Sequence, residues 1–274
     1  MIVIIVSCKK TDTTNASVSL QTDIMNVAYG SDPLQNMDIY LPPNRSTTDT
    51  KVLVMIHGGG WTSGDKADFN GFIDTVKQRL PNYAIFNLNY RLAGNANNFF
   101  PTQENDIKSA IEFIYSKRAD YFISDKFALL GASAGAHLAL LQGYKYTSPV
   151  KVKAIIDFFG PTDMAAMYNS PAMPGADLAI LNVMGTTPSL DSVLYATSSP
   201  INFVTPTAAP TLILHGGVDA VVSISQSDSL FARLDSANVI SSYVIYPTQN
   251  HGWTGADLYD SFNKMQSFLN ARLP

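Results

Sequence analysis

A single cysteine, Cys8, in 274 residues excludes an internal disulfide and any zinc site built on cysteines, so buried apolar surface must hold the fold together. Histidine is scarce as well: His57, His137, His215 and His251 are the full set, and each can be weighed by its place in the chain. Lys and Arg never run longer than two together, and with a net charge of −4 no stretch can neutralise a row of phosphates. That excludes a nucleic-acid partner. No internal apolar run approaches the ~20 residues of a membrane-spanning helix. Repeats, charge blocks and Pro-rich linkers are absent too, so nothing divides the chain. What remains is 46% apolar and 15% charged, a composition and length that suit one large core.

From residue 25 onward short apolar runs alternate with helical patterns, which predicts an α/β fold with a mostly parallel sheet covered on both faces. Met25 to Tyr29 and Met37 to Leu41 read as an antiparallel edge pair ending at Pro42-Pro43. Val52 to Ile56 is apolar throughout and belongs at the centre of the sheet. Further strands are expected at 84–88, 127–130, 152–158, 211–214 and 242–246. Three apolar stripes at helical spacing mark core-facing helices: Ile107, Ala110, Ile111 and Ile114; Leu230, Phe231 and Leu234; Leu258, Phe262, Met265 and Leu269.

Gly131-Ala132-Ser133-Ala134-Gly135 places a serine at a tight turn between the strand ending at Leu130 and an Ala/Leu-rich helix. A strained strand-to-helix turn tolerates only small neighbours, and Gly, Ala, Ala and Gly satisfy that demand. Such a serine is inert until a base takes its proton and donors hold the resulting oxyanion. His57-Gly58-Gly59-Gly60-Trp61, directly after the central strand, can turn backbone amides inward. Gly59 and Gly60 are the expected donors, joined by the amide of Ala134 at a helix N-terminus. A phosphate cradle is the competing use of a glycine loop, but no Lys-Ser/Thr follows and the spacing is not G-x-G-x-x-G. Among the histidines, His57 lies in that loop and His137 one turn into the helix behind the serine. His215 ends a strand, whereas His251 follows the last strand and opens onto the final helix, which makes it the base. Asp219, four residues after His215, is the expected acid. Asp163 also follows a strand and is the competing acid; it reads as a turn or helix-cap residue. Ser133, Asp219 and His251 thus occur in the order nucleophile, acid, histidine at the C-terminal ends of different strands.

These residues carry a resemblance. Together with Asp38-Ile39-Tyr40-Leu41-Pro42, Gly64-Asp65-Lys66, Asn89-Tyr90-Arg91-Leu92, Ser199-Pro200-Ile201 and His215-Gly216-Gly217-Val218-Asp219, the chain resembles the α/β-hydrolase superfamily over most of residues 25–274. Within it the likeness is to His-Gly-Gly-Gly esterases of the hormone-sensitive-lipase-like and bacterial acetylxylan/feruloyl-esterase-like groups. The resemblance implies an eight-stranded sheet and hydrolysis of small-molecule or carbohydrate-linked carboxylic esters without metal or organic cofactor. It also implies pairing of Arg91 with Asp65 and Asp106. Residues 164–198 form an insertion rich in Met, expected to cap the site. Trp61, Tyr90, Met164 and Trp253, with Phe99 and Phe100, are the expected lining of the substrate pocket. A prolyl-type serine peptidase and a non-catalytic binding module on the same fold are the alternatives. The start of the chain, Ile2 to Cys8 followed by a polar stretch, resembles the end of a bacterial lipoprotein signal. That resemblance implies lipidation of Cys8, membrane anchoring and residence in the cell envelope, periplasmic or surface. A frayed N-terminus with a free thiol on a cytoplasmic protein is the other reading. Under both, residues 1 to about 24 stay outside the fold.

Overall fold

The computed structural model describes residues 17–94 and 96–274, so Cys8 lies outside the described residues. The large sheet is built from β2 (Thr22–Ala28), β3 (Asn36–Leu41), β5 (Lys51–Ile56), β6 (Tyr83–Leu88), β7 (Phe127–Ala132), β8 (Ala154–Phe158), β9 (Thr211–Gly216) and β10 (Ser241–Tyr246). Two short strands, β1 (Ser17–Val18) and β4 (Arg45–Ser46), pair antiparallel beside it. The eight strands run in the order β10-β9-β8-β7-β5-β6-β3-β2. β2 and β3 are antiparallel to their neighbours and the rest are parallel.

The boundary expected at residue 24 is corrected. β2 starts at Thr22, and β1 pairs with β4 earlier still. Arg45 secures this region by donating to the Leu20 and Pro42 carbonyls. Within β2 the register shifts between Ile24 and Val27, where Asn26 takes a positive φ of 56°. The Asn26 amide donates to Asp38 at 2.8 Å, and the buried Lys66 ammonium bonds both side chains.

Helices α1 (Asn70–Arg79) and α9 (Gly255–Arg272) cover one face of the sheet; α2 (Thr102–Ser116), the short α3 (Arg118–Tyr121), α4 (Ala134–Lys145) and α8 (Ser225–Ser236) belong to the other. Strand periodicity divides the core accordingly. Val52, Val54 and Ile56 pack with Ile107, Ile111, Leu138 and Leu230, whereas Leu53 and Met55 pack with Ile73, Val76, Met265 and Leu269. All are nearly free of solvent, and truncating any of the Leu, Ile or Met residues among them to Ala is expected to cost ~2–5 kcal/mol. Residues 164–198 contain α5 (Met164–Asn169), α6 (Ala176–Met184) and α7 (Ser192–Thr197). Asp163 caps α5 by accepting from the Ala166 amide, so it works as a cap and not beside the histidine. Among the described residues no helix is long and apolar enough to cross a membrane.

Candidate active site

Ser133 sits between β7 and α4 with φ 54° and ψ −120°, a backbone region that L-residues avoid. The turn persists because its surroundings fix it. The Ser133 amide donates to the Phe158 carbonyl at 2.8 Å, and the Ser133 carbonyl accepts from the His137 amide. Gly135 packs so closely that a Cβ there would strike the Ile56 and His57 carbonyl oxygens. The steric reason for glycine is thus the crossing of α4 over the end of β5.

Three loops bring distant residues to that turn. His251 Nε2 lies 3.0 Å from Ser133 Oγ, and His251 Nδ1 lies 2.8 Å from Asp219 Oδ2. The second contact fixes the tautomer, with the proton on Nδ1 and a free lone pair on Nε2 facing the hydroxyl. Asn250 couples the two loops, its Oδ1 accepting from the amides of Ala220 and His251. Asp219 Oδ1 accepts from the amides of Val221 and Val222 at 2.8 and 3.0 Å. Burial by itself would raise the Asp219 pKa. Hydrogen bonds from His215 and His251, with the Val221 amide, outweigh it and hold the carboxyl well below its ordinary range.

His215 has a larger part than its place at a strand end suggested. Fully buried, its Nε2–H points to the Val222 carbonyl at 3.0 Å and lies 3.3 Å from Asp219 Oδ2. Its Nδ1 accepts from Ser227 Oγ at 2.7 Å. His137 is also fully buried and turned away from Ser133. It accepts from Trp61 Nε1 and donates to the Ser198 carbonyl, and burial lowers its pKa to about 4.

The Gly58–Gly60 loop faces Ser133 across a cleft of about 570 Å³. Gly59 and Gly60 take positive φ, 101° and 58°, and among the described residues their amides have no acceptor within the chain. Ala134 is the first residue of α4. Trp61 lines the cleft, as do Met167, Met173, Ala176, Ala179 and Ile180 from the cap.

Five of the six expected lining residues lie elsewhere. Tyr90 is wholly buried beneath the glycine loop, its ring stacked on His57 at 4.3 Å and its hydroxyl donating to the His57 and Gly58 carbonyls at 3.0 and 3.2 Å. Met164 turns into the core, where its amide donates to Ser199 Oγ. Trp253 packs against Phe158, Phe159 and Tyr246 on the opposite side of the histidine loop. Phe100 is buried against His137, and Phe99 covers Gly185. Arg91 binds Asp106 through both guanidinium and backbone nitrogens. Asp65 instead caps the helical turn after it and bonds Asn89, so the Arg91–Asp65 pairing does not form. Phe159, whose ring lies 4.5 Å from His251, carried no signal in the sequence. Among the described residues no group of three His, Cys, Asp or Glu side chains could hold a metal ion.

A mostly parallel eight-stranded sheet with a Gly-x-Ser-x-Gly turn at the end of β7, and the Asp219 and His251 loops after β9 and β10, defines an α/β-hydrolase. More narrowly, the chain belongs to the BD-FAE family, whose profile matches residues 37–234. It is similar to Esterase LipC of Mycobacterium tuberculosis, 27% identical over 261 residues that cover 89% of this chain and 64% of LipC. The chain spans between 51% and 64% of the length of its first three curated relatives. Among solved structures, a truncated carbohydrate esterase from gut microbiota superposes with a TM-score of 0.79 at 26% identity, covering 94% of this chain and 98% of that one. A bifunctional GH43-CE protein of Bacteroides eggerthii superposes with a TM-score of 0.80 at 25% identity, covering 92% and 35%.

Proposed function

We propose that this chain hydrolyses carboxylic esters through an acyl-enzyme on Ser133. The observation that carries the reading is the unbroken contact from Asp219 through His251 to Ser133, 2.8 and then 3.0 Å. As Ser133 Oγ attacks the ester carbonyl, its proton passes to His251 Nε2, and Asp219 stabilises the imidazolium. The amides of Gly59, Gly60 and Ala134 receive the developing oxyanion, each donor worth roughly a hundredfold in rate or more. Collapse breaks the bond to the alcohol oxygen, which leaves with the proton from His251 and the acyl group stays on Ser133. Water then attacks that acyl carbon while giving its proton to His251. The acid departs and Ser133 regains its hydrogen.

Short-acyl esters, sugar-linked ones among them, are the substrate class we favour. Its support is the likeness to LipC and to the gut carbohydrate esterase. The family match and the likeness to LipC favour ester hydrolysis over the peptidase alternative. Wild type should turn over p-nitrophenyl acetate and leave a Pro-nitroanilide untouched, and Ser133→Ala should abolish turnover with an unchanged circular dichroism spectrum. Near-wild-type turnover by that variant would end the assignment.

A further inference from the structure

A second cavity adjoins Ser133 on the face of the sheet opposite α4. It measures about 190 Å³ and is bounded by Met55 and Leu130 of the sheet, Phe69 and Phe72 around the start of α1, and Leu258 and Phe262 of α9. Ala132 and Phe159 wall both this slot and the wider cleft under the cap. The slot is thus walled by the chain neighbours of both Ser133 and His251, Ala132 and Gly252.

The chemistry of the two spaces differs. Every side chain lining the slot is apolar, and the one polar hydrogen among them, on Trp253 Nε1, is already donated to Ser261 Oγ at 2.8 Å. A group entering the slot finds no hydrogen-bond partner, so each hydroxyl it carries loses its water without replacement. The wider cleft, by contrast, contains Ser133, His251 and the glycine loop, with Gly59 and Gly60 exposed. The partition between them is held in place. Phe159 has a positive φ of 46°, a conformation rare for a bulky residue. Its amide donates to the Leu214 carbonyl, and its ring packs against His251 and Trp253.

We propose that this slot is the subsite for the apolar body of the acyl group, and that the alcohol side of the ester occupies the cleft under the cap. The assignment rests on the ester-hydrolase reading above. A sugar alcohol keeps its water in the open cleft, whose rim includes the exposed Gly59, Gly60, Met173 and Val221, whereas an aliphatic or unsubstituted aryl acyl group has no hydrogen bond to lose in the slot. Apolar cavities of ~150 Å³ hold a benzene; at about 190 Å³ the slot takes a ring or a chain of about six carbons. Hydroxylated aromatic acyl groups are disfavoured by the same lining.

The test uses the full chain and three ester series: p-nitrophenyl esters of rising acyl length, two methyl cinnamates, and methyl, butyl and benzyl acetates. Across p-nitrophenyl acetate, butyrate, hexanoate and decanoate, kcat/KM should rise about threefold to fourfold per methylene up to about six carbons and then fall. Methyl cinnamate should be preferred over methyl 4-hydroxycinnamate. Leu258→Trp, which fills the slot, should lower the hexanoate-to-acetate ratio at least about tenfold. Phe72→Ala, which removes a half-buried ring from its wall and suffices should the Trp variant not fold, should move the optimum to longer chains. An acyl profile that neither variant alters overturns the proposal. So does a change confined to methyl, butyl and benzyl acetates, which would put the alcohol in the slot. A wild type inactive on every ester refutes the ester-hydrolase reading itself, whereas activity with an unaltered acyl profile removes the slot alone.

Discussion

Asp219→Asn isolates the orienting carboxylate with little change of shape. Asp219 Oδ1 is held by the amides of Val221 and Val222, so an asparagine keeps its carbonyl oxygen there and turns its NH2 toward the position of Oδ2. That NH2 then faces His251 Nδ1, 2.8 Å away, and His215 Nε2–H, 3.3 Å away. A donor in that position reverses the histidine: Nδ1 must accept, the proton moves to Nε2, and no lone pair remains for Ser133. It also sets two donors against each other at His215, which destabilises the loop. Losing the correct tautomer in such an arrangement costs on the order of 10⁴ in kcat, or about 5 kcal/mol of transition-state stabilisation. Steady-state kinetics on p-nitrophenyl acetate, read beside a thermal melt, should show that fall in kcat with KM changed far less. A folded variant that loses less than about tenfold would refute the claim that Asp219 sets the histidine's tautomer.

Tyr90→Phe removes the hydroxyl that bonds the His57 and Gly58 carbonyls but keeps the ring stacked on His57. It should cost ~1 kcal/mol of stability and about tenfold in kcat as the loop donors lose alignment; an unchanged kcat would show that the loop holds itself. Asp157 is fully buried, with Oδ1 bonded to the Gly160 amide and Oδ2 unpartnered, and burial pushes its pKa up to about 7. In the unfolded chain it titrates near ~3.9. The folded form therefore keeps a proton that the unfolded form releases, and stability falls as pH rises from about 4 to about 7. Asp157→Asn should thus stabilise the protein by a few kcal/mol at pH ~8 and by almost nothing at pH ~4, and urea midpoints that shift equally at both would contradict this. Gly135→Ala drives a methyl into the Ile56 and His57 carbonyl oxygens and should lower the melting temperature through a loss of at least ~1–3 kcal/mol; a melt unchanged from wild type would mean that the crossing is looser than described.

The large sheet was legible because its central strands are the continuous apolar runs that two covered faces require. Val52 to Ile56 divides its side chains between both core clusters, and each expected helical stripe is buried against one of them or lies at its edge. β1 and β4 were not legible. Two residues each show no period, and their pairing depends on where a turn returns the chain. At the site, Ser133, His251 and Asp219 could be picked out because each follows a strand and so reaches the same edge of the sheet. Direction was the part that sequence withheld. Tyr90 and Met164 stand next to site loops in the chain, but a side chain at a loop's root turns inward as readily as outward, and both turn inward. Trp253 reaches the wrong side of its loop for the cleft, lining the apolar slot instead. His215 left a usable signal, a buried strand-end histidine four residues before an acid, whereas Phe159 left none, because its role comes from a positive φ that no residue type announces.

The account stands on Ser133 as the atom that bonds to the substrate. Incubation of the full chain with a fluorophosphonate, followed by digestion and mass spectrometry, should find one adduct on the Ser133 peptide that appears as esterase activity disappears, and none in Ser133→Ala. Esterase activity that survives without modification of Ser133, or disappears with the adduct on another residue, would contradict it.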